Sequence, residues 1–257
     1  MPVLEIDGLC KSFGGLRAVA NFDLALEDNE VVGLIGPNGA GKTTIFNLIT
    51  GIYPATSGAI SFMGKSILGT RPFKITQLGI ARTFQNIRLF KECTVLDNVR
   101  TVFHPRVSYG VIDSFLHTPR YAAEEARITE RSLELLKTMN LDGRAEMKAT
   151  NLPYGDQRRL EIARALAGEP KILLLDEPAA GMNPSEVGTL VELIKFIKSH
   201  FKITVLLIEH QMNVVMNVCD RLVVLDFGEI IAKGLPEEIR NNQKVLEAYL
   251  GKGVTVA

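Results

Sequence analysis

The sequence predicts an α/β fold organised around a buried sheet, and three observations carry that expectation. First, apolar runs of strand length recur at residues 31–35, 171–175 and 203–208, without polar alternation. Runs of this kind are buried on both faces, as in parallel sheets. Second, each run is followed by a stretch with helix start and stop signals. Third, the first run leads directly into Gly36-Pro-Asn-Gly-Ala-Gly-Lys-Thr43, which matches the phosphate-binding pattern G-x-x-x-x-G-K-[ST] at every required position.

The loop's chemistry follows from its residue types. Gly36, Gly39 and Gly41 let the backbone turn tightly, so several N–H groups can point at one anion. The helix expected over 44–50, stopped by Gly51, adds its positive N-terminal end. Lys42 brings a full positive charge to the β- and γ-phosphates, and the Thr43 hydroxyl can ligate Mg²⁺. Gly36, Pro37, Asn38, Gly39, Ala40, Gly41, Lys42, Thr43 and the adjoining Thr44 form the candidate nucleotide phosphate site.

The chain has 257 residues, enough for one large α/β domain or one domain with a substantial insertion. Hydrophobic residues make up 46%, so a sizeable core is available. Lys+Arg 29 balances Asp+Glu 29, which argues against a nucleic-acid surface and against an acidic disordered chain. Cys10, Cys93 and Cys219 are far apart and suggest neither a disulfide framework nor a zinc site. No run approaches the roughly 18 apolar residues of a membrane span. Glu5 and Asp7 are wrong for a signal peptide. A soluble protein is expected, with any membrane role coming through a partner.

In chain order, 3–7 alternates apolar and acidic as a half-buried strand, and Gly8 with 11–15 reads as a loop holding Phe13. Phe13 is either core or a ring that stacks on a purine face. Residues 22–26 alternate again before the Asp28-Asn29 turn, and 59–62 is a short strand. A helical turn over 73–78 is capped by Gly79. From about Val95 to Met147 glycine is sparse and helical texture dominates, with Ala126, Thr129, Leu133, Leu136 and Met139 near helical spacing. The expected organisation is therefore a nucleotide-binding part over 1–94, a helical insertion over 95–150, and the remainder of the core over 151–257. Asp156 is placed to cap a helix over 157–167. Asn183-Pro-Ser-Glu186 starts another, with Asn as cap and Glu three residues on. Late strands lie around Gly228, and terminal helices over 236–240 and 245–250.

The second half of the chemistry lies at strand ends. The run at 171–175 delivers Asp176 to the carboxyl edge of the sheet, where open α/β folds bind ligands. A carboxylate there can hold Mg²⁺ through its waters. Glu177 follows and can accept a proton from an attacking water, a contribution of about 10²–10⁴ in rate. His210 ends another buried strand; it is either structural or within reach of the γ-phosphate. Gln85 is either a surface glutamine or an amide that ligates Mg²⁺ or the water.

This ordered set resembles the ATP-binding subunits of ABC transporters over nearly the whole chain. The resemblance implies a P-loop NTPase of ABC ATPase type: a mixed sheet core, an antiparallel β subdomain and an α-helical insertion. It implies ATP and Mg²⁺ as cofactors, with Phe13 stacking on adenine, Gln85 in the mobile glutamine loop, Asp176 on the metal, Glu177 activating water and His210 as the switch histidine. The family's signature, usually Leu-Ser-Gly-Gly-Gln, corresponds to Leu152-Pro-Tyr-Gly-Asp156, so Leu152, Tyr154 and Gly155 would cover ATP held by an opposing subunit. Within the family, Arg82-Thr-Phe-Gln-Asn-Ile-Arg-Leu-Phe90, Tyr154-Gly155, Asp176-Glu-Pro-Ala-Ala-Gly181, the tail Gly234-Leu-Pro-Glu-Glu-Ile-Arg-Asn-Asn242 and the insertion through Thr118-Pro119 resemble the branched-chain amino acid importers. Expected partners are membrane permease subunits, a second ATP-binding subunit (the same chain or a sister) and, indirectly, a periplasmic or extracellular solute-binding protein. No nucleic acid is expected. The expected place is the cytoplasmic face of the inner membrane, peripherally bound.

Two departures bear on turnover. Pro153 replaces the signature serine, and its ring offers neither hydroxyl nor N–H. Asp156 replaces the signature glutamine and sets a negative charge toward an anion. A weakened signature is expected, so that restoring serine at 153 and glutamine at 156 raises turnover. Competing classes are a lipid-exporter ATPase, a soluble ABC ATPase acting on ribosomes or DNA, and a catalytically idle regulator.

Overall fold

The computed structural model describes residues 1–250. In chain order its elements begin with β1 (Leu4–Phe13), β2 (Leu16–Leu26), β3 (Val31–Ile35), α1 (Lys42–Ile49), β4 (Ser57–Phe62), β5 (Lys65–Ser66), α2 (Pro72–Leu78) and β6 (Ile80–Arg82). Four helices follow: α3 (Val95–Arg100), α4 (Val111–Leu116), α5 (Pro119–Thr138) and α6 (Tyr154–Leu166). The chain continues with β7 (Ile172–Asp176), α7 (Pro184–Phe201), β8 (Thr204–Ile208), α8 (Met212–Val218), β9 (Arg221–Asp226), β10 (Glu229–Gly234), α9 (Pro236–Arg240) and α10 (Gln243–Leu250). These form two compact units, one of residues 1–85 with 170–250 and one of Asn86–Glu169. The second takes in the expected insertion 95–150 and adds its flanks, because α6 packs on α3 and α5.

The first unit is built on two sheets. The larger has strand order β10-β9-β3-β8-β7-β6. All its pairings are parallel except β10 with β9, so it is mixed. Every residue of β3, β7 and β8 is buried, which is why their sequences read as unbroken apolar runs. The smaller sheet, β2-β1-β4-β5, is antiparallel throughout. One buried cluster, including Leu4, Phe22, Phe46, Leu174 and Val223, joins the inner faces of both sheets to α1.

Of the loop expected at Gly8 and 11–15, only Gly14 and Gly15 form a turn, and Gly8 and 11–13 are strand. β1 continues to Phe13 because both its edges are paired, with β2 and β4. Gly8 enters the left-handed region at φ 54°, and the register shifts between Ile6 and Leu9, so the break is a bulge. At α7 the expected capping box is present: Glu186 N–H donates to Asn183 Oδ1 at 3.0 Å, and Asn183 N–H donates to Glu186 Oε2 at 2.9 Å.

The second unit has its own core, with Val95, Val99, Ile128, Leu136, Leu160 and Ile162 fully or nearly fully buried. The buried face of α5 is Ile128, Ser132 and Leu136, while Leu133 is exposed and Ala126 faces solvent. Leu136 and Met139 of the expected stripe are buried, and towards the N-terminus the buried face runs through Ile128 and Ser132 in place of Ala126, Thr129 and Leu133. Packing selects the four-residue row through Ile128 and tolerates a small serine on it. Charge is also buried here: Arg158 Nη1 lies 2.7 Å from Glu161 Oε2, and Glu161 Oε1 accepts from Arg88 N–H at 3.2 Å. Asn98 bonds both the N–H and the carbonyl of Phe90. The segment after Gln85 is therefore fixed into the helical unit.

α6 starts earlier than expected, with Pro153 at the cap position and Tyr154 first in the helix. Proline suits that place, since its preset φ fits and its missing N–H would be an orphan donor anyway. Asp156 consequently sits in the first turn and does not cap. It is paired with Arg144 and, at 3.2 Å, with Arg159. The expected wrong-sign charge is neutralised within its own unit. We predict that Asp156→Gln destabilises the protein by about 1–2 kcal/mol, from two partly exposed pairs and a lost acid at a helix N-terminus. Thermal melting in low salt reads the loss. Equal melting of variant and wild type there rejects it.

Candidate functional site

The site assembles where β3 ends. Gly36 (φ 148°), Gly39 (φ 83°) and Gly41 (φ 102°) all have positive φ, and Gly41 closes the turn into α1. Two of these positions admit no side chain: a Cβ on Gly36 would lie 2.1 Å from the Leu225 carbonyl oxygen, and one on Gly41 2.5 Å from that of Ala18. The loop is thus wound tightly against β9 and β2. Lys42 is buried at 6% exposure, and its Nζ donates to the carbonyls of Gly36 (2.6 Å) and Pro37 (2.8 Å). Burial lowers its pKa, while the charges of Glu177 and Asp176 act in the opposite direction.

A cleft of about 480 Å³ opens over this loop. It is lined by Phe13, Asn38, Gly39, Ala40, Gly41, Lys42, Thr43, Thr44 and Glu177, together with Leu16, Arg17, Ala18 and Phe227. Nine residues expected from the sequence therefore share one concave surface, with Gly36 and Pro37 behind Lys42. Phe13 is 43% exposed, which excludes the core reading. Its ring meets Tyr53 edge-on at 5.2 Å and carries Lys11 Nζ 4.8 Å from its centroid.

Glu177 lines the other side of the cleft, and Asp176, Gln85 and His210 are not among its lining residues. β7 delivers Asp176 at 3% exposure. Glu177 then takes a left-handed φ of 45°, and its N–H donates to the Ile208 carbonyl at 2.9 Å. A non-glycine residue there costs about 1–3 kcal/mol, and the turn carries its side chain into the cleft. Gln85 Nε2 donates to Glu177 Oε2 at 2.7 Å, and His210 Nδ1 lies 3.9 Å from the same oxygen. Leu152, Tyr154 and Gly155 belong to the helical unit and line no part of this cleft. Leu152 is buried there and its carbonyl accepts from Gln157 Nε2, while Tyr154 is 41% exposed.

Three residues were missed in the sequence. Arg82 pairs with Asp176 at 2.7 Å; an arginine ending a short buried strand was the available signal. Glu209 is fully buried, and its carboxylate accepts from the N–H groups of Ala179, His210 and Gln211 at 2.8–3.2 Å. It fixes the backbone that carries His210. Phe227, in the β9–β10 hairpin, is 86% exposed at φ 43°; an aromatic before a turn glycine marks it.

The residues fit a magnesium-bound nucleoside triphosphate. A glycine loop closed against its neighbours, a buried lysine held at an electrostatic cost and two acids facing it form an anion site beside a cation site. Among the described residues no three His, Cys, Asp or Glu converge to hold a metal by themselves. The donors present are oxygens suited to a hard cation shared with phosphates.

The family model described as "ABC transporter" matches residues 19–180, and a second, "Branched-chain amino acid ATP-binding cassette transporter", matches 229–255. The high-affinity branched-chain amino acid transport ATP-binding protein LivG of Salmonella typhimurium is 46% identical over 251 residues, 98% of each chain. The corresponding protein BraF of Pseudomonas aeruginosa is also 46% identical over 98% of each chain. The crystal structure of the ADP conformation of an ABC transporter's ATP-binding cassette aligns with TM-score 0.85 and 32% identity, covering 98% of this chain and 100% of that one. A dimeric cassette in a post-hydrolysis state, bound to ADP and phosphate, aligns with TM-score 0.75 and 25% identity over 91% of this chain and 98% of that one. The α/β architecture, with its mixed core sheet, antiparallel sheet and helical unit, is the P-loop fold of these cassettes. The chain belongs to the ABC transporter family, as an ATP-binding, ATP-hydrolysing protein of that family.

Proposed function

We propose that this chain is the ATP-hydrolysing subunit of an importer for branched-chain amino acids, peripherally bound at the cytoplasmic face of the inner membrane through permease subunits. The observation that carries the solute class is the full-length 46% identity to LivG and BraF, reinforced by the tail match at 229–255. No described helix is long and apolar enough to cross a membrane, in keeping with a permease supplied by other chains. A solute-binding protein would act on the permease from the far side.

Bound MgATP supplies the scissile γ-phosphoryl group and a metal that neutralises its charge. In this reading Phe13 stacks on adenine, and the N–H groups of 38–44 with Lys42 hold the phosphates. Thr43, Gln85 and Asp176 hold Mg²⁺. Glu177 takes a proton from the attacking water, and His210 orients the γ-phosphate region. Leu152, Tyr154 and Gly155 cover the nucleotide of a second ATP-binding subunit, the same chain or a sister. The exposure of Phe13 and Tyr154 supports such a lid from outside the chain. The bonds tying 88–90 into the helical unit support a role for the Gln85 segment in passing motion to the permease.

Uptake of labelled leucine, isoleucine and valine tests the reading. Cells lacking this chain lose uptake and regain it with wild type. Unchanged uptake of all three removes the solute assignment.

A further inference from the structure

Arg82 lies at the meeting of three elements of the first unit. Its Nη2 donates to Asp176 Oδ2 at 2.7 Å, with both side chains about 5% exposed. Its Nη1 donates to Asn47 Oδ1 at 2.7 Å and reaches Thr50 Oγ1 at 3.4 Å, both on or beside α1. The guanidinium centre sits 5.3 Å from the Phe46 ring centroid and 5.0 Å from that of Phe84. Two aromatic rings and three side-chain oxygens thus surround the group. α1 is the helix that begins at Lys42, and Arg82 is three residues from Gln85 in sequence.

We infer that Arg82 is a positioning residue for the metal: it pins one oxygen of Asp176 and so aims the other at the divalent cation that accompanies ATP. Among the described residues Asp176 Oδ1 has no hydrogen-bond partner, while Oδ2 is committed to Arg82. An unrestrained carboxylate presents either oxygen, and a buried one without its arginine is also destabilised. The planar fork allows Arg82 to bond Asp176 and Asn47 at once while lying near both rings. A lysine carries the charge but neither fork nor plane. Partners that orient a metal-binding carboxylate typically contribute about 10–100-fold in metal affinity. Because Asp176 is expected to act through water, the lower end of that range applies.

The inference rests on the proposal that Asp176 faces the metal, and the experiment separates the two. The readout is the affinity of the purified chain for a fluorescent ATP analogue with and without MgCl₂, and the ratio of the two affinities is the metal gain. Arg82→Lys is expected to cut that gain about tenfold, with metal-free affinity within twofold of wild type. Asn47→Ala, which leaves the Arg82–Asp176 pair intact but frees one edge of the fork, is expected to cut it about threefold. A lower melting temperature with an unchanged metal gain in Arg82→Lys makes the residue merely structural and overturns the inference, as does no change at all. Should Arg82→Lys not fold, Asn47→Ala decides alone, and a wild-type gain there overturns it. Asp176→Asn is the control. If it keeps the full metal gain, the proposed metal role of Asp176 fails. If it loses the gain while Arg82→Lys keeps it, only the role of Arg82 fails.

Discussion

Glu177→Gln stops ATP hydrolysis, lowering turnover by about 10²–10⁴, and leaves ATP affinity within a few-fold of wild type. The substitution keeps the shape of the side chain and removes its capacity to accept a proton. Glutamine tolerates φ 45° no worse than glutamate, so the turn that puts position 177 into the cleft survives. The bond from Gln85 Nε2 survives too, since an amide oxygen accepts where a carboxylate oxygen did. The phosphate-loop residues that would hold ATP are untouched. Binding and chemistry therefore separate, as they do when a lost group acts only in the transition state. Phosphate release measures the chemistry, and retention of a fluorescent ATP analogue the binding. Hydrolysis at a wild-type rate would take the proton-accepting role from Glu177. Loss of binding alongside hydrolysis would mean that residue 177 shapes the cleft instead.

What could be read from the chain depended on how local the physics was. β3, β7 and β8 were legible because a strand hidden on both faces must be apolar throughout. The loop 36–43 was legible because tight winding against β2 and β9 leaves glycine without substitute at Gly36 and Gly41. The start of α7 was legible because a capping box is complete within four residues. The failures all involve partners distant in sequence. Gly8 looks like a strand end, yet pairing with both β2 and β4 carries β1 onward through a bulge. Asp156 looks like a cap or a misplaced charge, and only the fold brings Arg144 to it. Arg82 is a charge ending a short buried strand, and its partner Asp176, 94 residues away, is brought beside it only by β7. The phosphate-loop residues of the cleft were found from a motif, Glu177 from its place at a strand end, and Phe13 through the family resemblance. Arg82, which bonds Asp176, and Glu209, which bonds the backbone of His210 and Gln211, follow no motif.

Lys42→Met separates folding from ATP retention, because the two place opposite demands on the same charge. In the protein without nucleotide the ammonium is buried and its pKa is lowered, even though Glu177 and Asp176 favour the charged form. For a base, a lowered pKa means that the fold holds the charge at a cost. The carbonyls of Gly36 and Pro37 offset part of that cost. Methionine keeps the stem, relieves the buried charge and leaves those carbonyls without a donor, two effects of opposite sign. Melting without nucleotide should therefore change by only a few degrees. With MgATP the balance is one-sided, because a charge-assisted bond to phosphate contributes about 1.5–3 kcal/mol, or about 10–100-fold in affinity. At a nucleotide concentration near 100 times the wild-type Kd, ligand binding stabilises the wild type by about 2.7 kcal/mol, and a variant weakened 100-fold by about 0.4 kcal/mol. For a chain of this length those energies correspond to about 5–10 °C and about 1 °C. Melting curves with and without MgATP read both quantities in one experiment. A full nucleotide-induced rise in Lys42→Met would place the triphosphate away from Lys42, and would take with it the roles assigned to Thr43, Asp176 and Glu177.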